Sequence, residues 1–265
     1  MDNNMAVMGQ GRVGSAVPRI DELRSVEIGA DALADAGVFG FRTADNRARP
    51  FKLLRSQLRK RMGAAGARLI GVTSASPAVG KSFVAANLAA AMSRLSDVEI
   101  YLIDIDLHRP ALATRFGIAE QKGLPDFLSG DVRDLRDVAV RINDERICVI
   151  PSFKRESSPA ELLAGPHADR LFAGLRALPD NAVVLFDMPP IFADDDAVII
   201  AGRVDGYLLI VEDGKTTAKQ VRDTIRLLEP TPCLGTVLNR YKNQLLSDDY
   251  GYGVGYGYGA YYQSE

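Results

Sequence analysis

Six short apolar segments separated by helical stretches, with a Gly-Lys-Ser turn after the first of them, leave this chain few folds. The segments are 68–73, 99–103, 147–150, 183–186, 207–211 and 234–238. Each is almost continuously apolar, the character of a strand covered on both faces and not of one with a wet side. Helical patterns over 83–95, 161–178 and 217–228 fill the intervals. Strands alternating with helices predict an α/β architecture, doubly wound around a mainly parallel sheet.

The segment Ser74-Ala-Ser-Pro-Ala-Val-Gly80-Lys81-Ser82 lies between a buried strand and an apolar helix, where a phosphate-binding loop belongs. The loop and helix start, Pro77, Ala78, Val79, Gly80, Lys81, Ser82 and Phe83, can wrap phosphate oxygens with backbone N–H groups. The helix N-terminus favours the same negative charge. Lys81 can reach the β- and γ-phosphates of ATP, and the Ser82 hydroxyl can ligate Mg²⁺. The first glycine of the usual pattern is replaced by Ala75.

Two carboxylate groups stand at strand ends, on the side where a doubly wound sheet binds its ligands. Asp104 and Asp106 share one side of an emerging strand by period-two geometry. Asp187, in Phe186-Asp187-Met-Pro189-Pro190, ends another strand. Hard carboxylate oxygens suit Mg²⁺, and a further acid can accept a proton from an attacking hydroxyl. Taken alone, either group also fits a helix cap or a turn.

Outside this core the chain divides into three further parts. Residues 1–40 read as a loosely ordered arm with a short helix near 20–25. Residues 41–66 are basic, with Phe51, Leu54 and Leu58 at helical spacing, which predicts an amphipathic helix. Its basic face is either solvated or a docking surface for an acidic partner or lipid headgroups. The core domain is expected over 67–245, and 246–265 forms a tail in which Tyr250, Tyr252, Tyr256, Tyr258, Tyr261 and Tyr262 are interleaved with glycine. No packed core explains such a tail; a flexible hydroxyl-bearing substrate for modification does, and an added edge strand is the alternative. A net charge of −2 argues against bulk nucleic-acid binding. The two cysteines, Cys148 and Cys233, read as buried free thiols of a reducing, cytoplasmic compartment. No run is long enough to span a membrane, so membrane association is expected only through a partner.

These motifs, in order and spacing, resemble the cytoplasmic domain of the bacterial tyrosine kinases of capsule and exopolysaccharide synthesis. The resemblance covers roughly 45–262 and rests on Ser76-Pro-Ala-Val-Gly-Lys81-Ser82, Asp104-Ile-Asp106-Leu-His108-Arg109-Pro110, Asp187-Met-Pro189-Pro190, Asn239-Arg240 and the tyrosine cluster. It implies ATP and Mg²⁺ as cofactors, with Ser82, Asp106 and Asp187 at the metal and Lys81 on the phosphates. Asp104 would be the base toward an incoming tyrosine, and Asn239 and Arg240 the adenine contacts. The six tail tyrosines would be autophosphorylated between subunits of a homo-oligomer. The chain resembles the split form of the family, in which a membrane-anchored polysaccharide co-polymerase activates the kinase at the inner face of the plasma membrane.

Several positions depart from the family. His108 stands where an arginine is usual, and Ala78-Val79 replaces a common Gly-Glu pair. Arg49, Lys52 and Arg55 occupy a Glu-x-x-Arg-x-x-Arg assembly motif, reversing the first charge. Two other readings remain at this point. One is an ATPase switch of the partition and septum-site type, whose extra loop lysine is here Ser76. The other is a catalytically weak nucleotide-binding scaffold.

Overall fold

The computed structural model describes residues 17–156 and 158–241; the six tail tyrosines lie outside the described residues. The chain runs through β1 (Ser25–Val26), α1 (Ala30–Asp35) and α2 (Arg49–Ala65) into β2 (Leu69–Ser74), α3 (Lys81–Ser93) and β3 (Glu99–Asp104). It continues through α4 (Leu112–Arg115), α5 (Leu124–Leu128), β4 (Val140–Ile142), β5 (Ile147–Ile150), α6 (Pro159–Ala164) and α7 (Pro166–Arg176). The last elements are β6 (Ala182–Asp187), α8 (Asp196–Ala201), β7 (Gly206–Glu212), α9 (Ala218–Leu227) and β8 (Cys233–Asn239).

The strands form one sheet in the order β1-β4-β5-β3-β6-β2-β7-β8, parallel at every pairing except β4 with β5. This confirms the doubly wound α/β expectation, and its cause is visible in the burial. On β3, Ile100 and Leu102 enter one apolar cluster while Tyr101 and Ile103 enter the other; β6 divides Val183 and Leu185 from Val184 and Phe186 in the same way. Both faces of these central strands are covered, so both faces must be apolar; β8, at the sheet edge, departs from that expectation, with much of it only half-buried and Leu238 exposed.

Helix α2 runs from Pro50, tolerated in a first turn, to Gly66, whose left-handed φ of 63° ends it. Phe51, Leu58 and Met62 are its buried side. Its basic side is partly committed within the chain. Arg55 donates to the Ala91 carbonyl at 2.6 Å, Arg61 to the Leu234 carbonyl at 2.6 Å, and Arg59 pairs with Asp97 at 2.7 Å.

The structure departs from the sequence-based expectations at four places. Residues 17–40 are packed: Val17, Ile20, Leu33 and Val38 are buried, and β1 joins the sheet edge beside β4. Those apolar residues are too sparse in sequence to show a period; Val17 and Ile20 join one apolar cluster and Leu33 and Val38 the other, and residues 37–40 are tied to Asn87 of α3. The helix expected over 161–178 is two helices, because Gly165, preceding Pro166, takes an extended φ/ψ of −80°/168°. Cys148 is buried as expected, whereas Cys233 is only half-buried because β8 is an edge strand. Tyr101 and Tyr207 are buried in the core, but Tyr241 is exposed, lying just past the end of that edge strand. Among the described residues, no helix is long and apolar enough to cross a membrane.

Candidate nucleotide site

Three adjacent strands, β3, β6 and β2, bring their carboxyl ends together, and the site is built on those ends. The register pairs Asp104 with Asp187 and Val72 with Asp187, so acids far apart in sequence become lateral neighbours one strand from the phosphate loop. The loop is tied to the third motif by three bonds. Met188 N–H donates to the Val72 carbonyl (3.1 Å), Ile191 N–H to the Ser74 carbonyl (2.8 Å), and the Thr73 hydroxyl to the Pro189 carbonyl (2.7 Å).

The loop itself turns on two left-handed residues, Ala78 (φ 62°) and Gly80 (φ 96°). An alanine in that region bears about 1 kcal/mol of strain, tolerated here because the flanking strand and helix dictate the path. Gly80 is more tightly specified, since a Cβ there would sit 2.2 Å from Asn239 Nδ2. That amide donates to the Val79 carbonyl at 2.7 Å and so fastens the phosphate loop to the end of β8. We expect Gly80→Ala to lower stability by about 2 kcal/mol, through φ strain and loss of the Asn239 bond. A melting-temperature drop of roughly 4–8 °C, with at least tenfold weaker ATP binding, is the measurable outcome; an unchanged melt would contradict the geometry.

Lys81 opens α3 with its side chain buried, its Nζ 3.8 Å from Asp106 Oδ2. With Pro77, Ala78, Gly80, Ser82, Asp106 and Arg240 it lines a cleft of about 280 Å³. Asp106 also accepts the Arg109 N–H at 3.0 Å. Burial pushes its carboxyl up, and Lys81 opposes that shift. Asp104 and Asp187 are fully buried and lie outside the lining of the cleft. Asp104 Oδ2 accepts two backbone N–H groups at the start of α4, from Ala111 and Leu112, both at 2.9 Å, while its Oδ1 has no partner. Burial first, and then the Asp187 charge, raise its carboxyl well above the usual range. Neither oxygen of Asp187 has a hydrogen-bond partner in good geometry, and burial pushes its pKa up to about 6. The neighbouring Ser82 hydroxyl and Lys81 pull it down.

A buried carboxylate with two orphaned oxygens, set against the phosphate-loop serine, is costly unless a cation completes it. The donor set is all oxygen, which suits Mg²⁺. The residues present therefore fit the metal that the motifs imply.

Other expected site residues fall elsewhere. Val79 is buried in the apolar cluster beneath the loop, and the Phe83 ring packs edge-on against Phe51 (5.6 Å) and Phe39 (6.3 Å). Arg240 turns into the cleft with φ 56° while pairing with Glu212 at 3.0 Å, and Asn239 is engaged with Val79. Three lining residues, Arg109, Arg115 and Pro190, were not anticipated as such. Arg109 and Pro190 lie in the strand-end motifs around Asp106 and Asp187; Arg115 carries no sequence signal, since only the position of α4 aims it here. His108 Nε2 lies 3.1 Å from Asp196 and 3.5 Å from Asp194, bridging the second motif to the start of α8.

The comparisons agree with this geometry. Residues 70–250 match the family model for the CobQ/CobB/MinD/ParA nucleotide-binding domain. EpsB of Ralstonia nicotianae is 33% identical over 210 residues, which are 78% of this chain but only 27% of EpsB, so the chain spans about a quarter of that relative. The tyrosine-protein kinase YwqD of Bacillus subtilis is 33% identical over 183 residues, 68% of this chain and 75% of YwqD. The kinase domain of the Escherichia coli tyrosine kinase Etk superposes with a TM-score of 0.68 at 28% identity, covering 82% of this chain and 84% of that one. A phosphate loop, acids on two neighbouring strand ends and these relatives together place the chain in the CobQ/CobB/MinD/ParA nucleotide-binding family and, within it, among the bacterial tyrosine kinases.

Proposed function

We propose that this chain transfers the γ-phosphoryl group of ATP to tyrosine hydroxyls, chiefly Tyr250, Tyr252, Tyr256, Tyr258, Tyr261 and Tyr262 of a neighbouring copy. The observation that carries this reading is the orphaned Asp187 carboxylate beside Ser82 and Lys81. Nothing else in the fold calls for a buried, unpaired acid at that point. Ser82, Asp106 and Asp187 would hold Mg²⁺, which when bound neutralises charge on the β- and γ-phosphates. Lys81 binds and orients the phosphates from the helix N-terminus, and the loop amides hold their oxygens. In the transfer, the bond from phosphorus to the tyrosine oxygen forms as the bond to the β,γ-bridging oxygen breaks. ADP leaves with that electron pair, and the phenolic proton passes to a carboxylate. The family reading gives that role to Asp104, which sits behind the cleft lining with a basicity raised by burial and an uncommitted Oδ1. Catalysis is then positioning and charge neutralisation, with no covalent enzyme intermediate.

The adenine is assigned to Asn239 and Arg240; Asn239 keeps its amide oxygen for the base while one N–H holds the Val79 carbonyl. The ATPase-switch reading is disfavoured by the loop: Ser76 holds no lysine, and its hydroxyl accepts Gln220 Nε2 at 3.2 Å. By the same family reading, a membrane-anchored polysaccharide co-polymerase supplies an activating segment, and the output is control of exopolysaccharide synthesis and export.

The direct test incubates the chain with ATP and Mg²⁺, with and without such a segment, and detects phosphotyrosine by mass spectrometry. Tail phosphorylation supports the reading; ATP turnover with an unmodified tail overturns it. Each phosphate adds about −1.5 to −2 charges, so a multiply phosphorylated tail repels its neighbours. Phe at all six tail positions is expected to leave ATP affinity within about twofold and to hold the assembly in one state on size-exclusion chromatography. Continued dispersal of that variant on adding ATP would contradict this.

A further inference from the structure

Four cations line the cleft; two of them face acids and a third is exposed at its rim. Lys81 faces Asp106, Arg240 pairs with Glu212, and Arg109 is an exposed rim residue whose backbone N–H is held by Asp106. Arg115 is different. Its guanidinium is half-buried, donates from Nη1 to the Ala36 carbonyl at 3.2 Å, and lies over the Phe83 ring at 5.7 Å. Its Nε is buried with no partner among the described residues. A guanidinium offers its donors in a fixed planar fork, and leaving one buried and unmatched carries a free-energy cost. Burial disfavours its charge, and the charge it feels in compensation is that of Asp187. A planar cation is thus held in a phosphate cleft with donors to spare.

The backbone shows why it stands there. Arg115 ends α4, and α4 begins on the two N–H bonds that Asp104 Oδ2 accepts. Asp104 therefore anchors the short helix that carries Arg115 into the cleft. We infer that Arg115 is a catalytic residue that contacts the transferring phosphoryl group from within the same chain. This rests on phosphoryl transfer at this site, as proposed above. Charge spreads over the equatorial oxygens of the transferring group as its bond to ADP loosens, and a forked donor matches those oxygens better than a point charge.

The test compares Mg·ADP with Mg·ADP–aluminium fluoride, which mimics the transferring group without needing any tyrosine. Affinities are measured by calorimetry for the wild type, Arg115→Gln and Arg115→Lys, with thermal melts to confirm folding. Arg115→Gln is expected to leave ADP affinity within about threefold while weakening the fluoride complex by about 10²-fold or more, with Arg115→Lys in between. Equal losses for both ligands would assign Arg115 a structural role and overturn the inference, as would no loss for either. Should Arg115→Gln not fold, Arg115→Lys decides on the same ratio, with a selective loss of about tenfold supporting the inference and none overturning it. Because the readout is binding, a wild type that modifies no tyrosine would sink the kinase reading while leaving the Arg115 result interpretable.

Discussion

Asp187→Asn should make the nucleotide-free protein more stable while removing its activity. Asp187 is fully buried, neither oxygen has a hydrogen-bond partner in good geometry, and burial pushes its pKa up to about 6 against the opposing pull of the Ser82 hydroxyl and Lys81. A carboxyl whose folded pKa lies above its unfolded value binds its proton more tightly in the folded state. Its destabilising effect is therefore absent below pH 4 and grows to its full size above pH 6. The asparagine cannot ionise, and its amide can donate toward the unpartnered Oδ1 of Asp104, the neighbour in register. With EDTA present, the variant is expected to melt roughly 5–10 °C above the wild type at pH 8. That gain should shrink steadily as the pH is lowered from 6 toward 4. Adding Mg·ADP should raise the wild-type melt and leave the variant's nearly unmoved, because ligand binding stabilises only a state that binds it. Tyrosine phosphorylation should fall by about 10²-fold or more. A variant less stable than the wild type in EDTA at pH 8 would show that Asp187 has a partner in the resting protein and that the metal assignment is misplaced.

Lys81→Met should abolish phosphoryl transfer with only a modest effect on the fold. The side chain is buried with Asp106 at 3.8 Å, each 8% exposed, so methionine fills much the same volume but leaves Asp106 without its cation. Burial already raises Asp106, and losing Lys81 removes the first influence that opposes it. The fold should lose about 1 kcal/mol at neutral pH, less in acid as Asp106 protonates. Catalysis loses the charge that orients the β- and γ-phosphates, and the expected decrease in phosphotyrosine formation is at least 10³-fold. Calorimetry with ATP should show at least tenfold weaker binding, which separates this variant from one that has merely misfolded. Retention of more than a tenth of wild-type phosphorylation would remove Lys81 from the mechanism.

Five of the six short apolar segments appear as β2, β3, β5, β6 and β7, because strands covered on both faces leave a nearly unbroken apolar run, and the sixth appears as the edge strand β8. Strands β1 and β4 were not visible. Two or three residues are too few to carry a period, and their pairing depends on an edge that other strands create. The break between α6 and α7 is encoded in Gly165-Pro166, which interrupts the helical pattern on either side. At the site, the loop residues and the three acids were readable as motifs, because their chemistry depends on residue type at short spacing.

How those groups are arranged was not readable. Asp104 anchors α4, Asn239 fastens the phosphate loop, and Arg115 enters the cleft, each through contacts between residues distant in sequence or through a helix set by such a contact. Local chemistry determined that a nucleotide site exists and which strands carry it, since backbone amides, a lysine and strand-end acids act within a few residues of one another. Which side chains are left unpaired there, and so free to act, emerged only once the sheet had placed β3, β6 and β2 side by side. Burial and hydrogen-bond satisfaction belong to the packed molecule and to no segment of it.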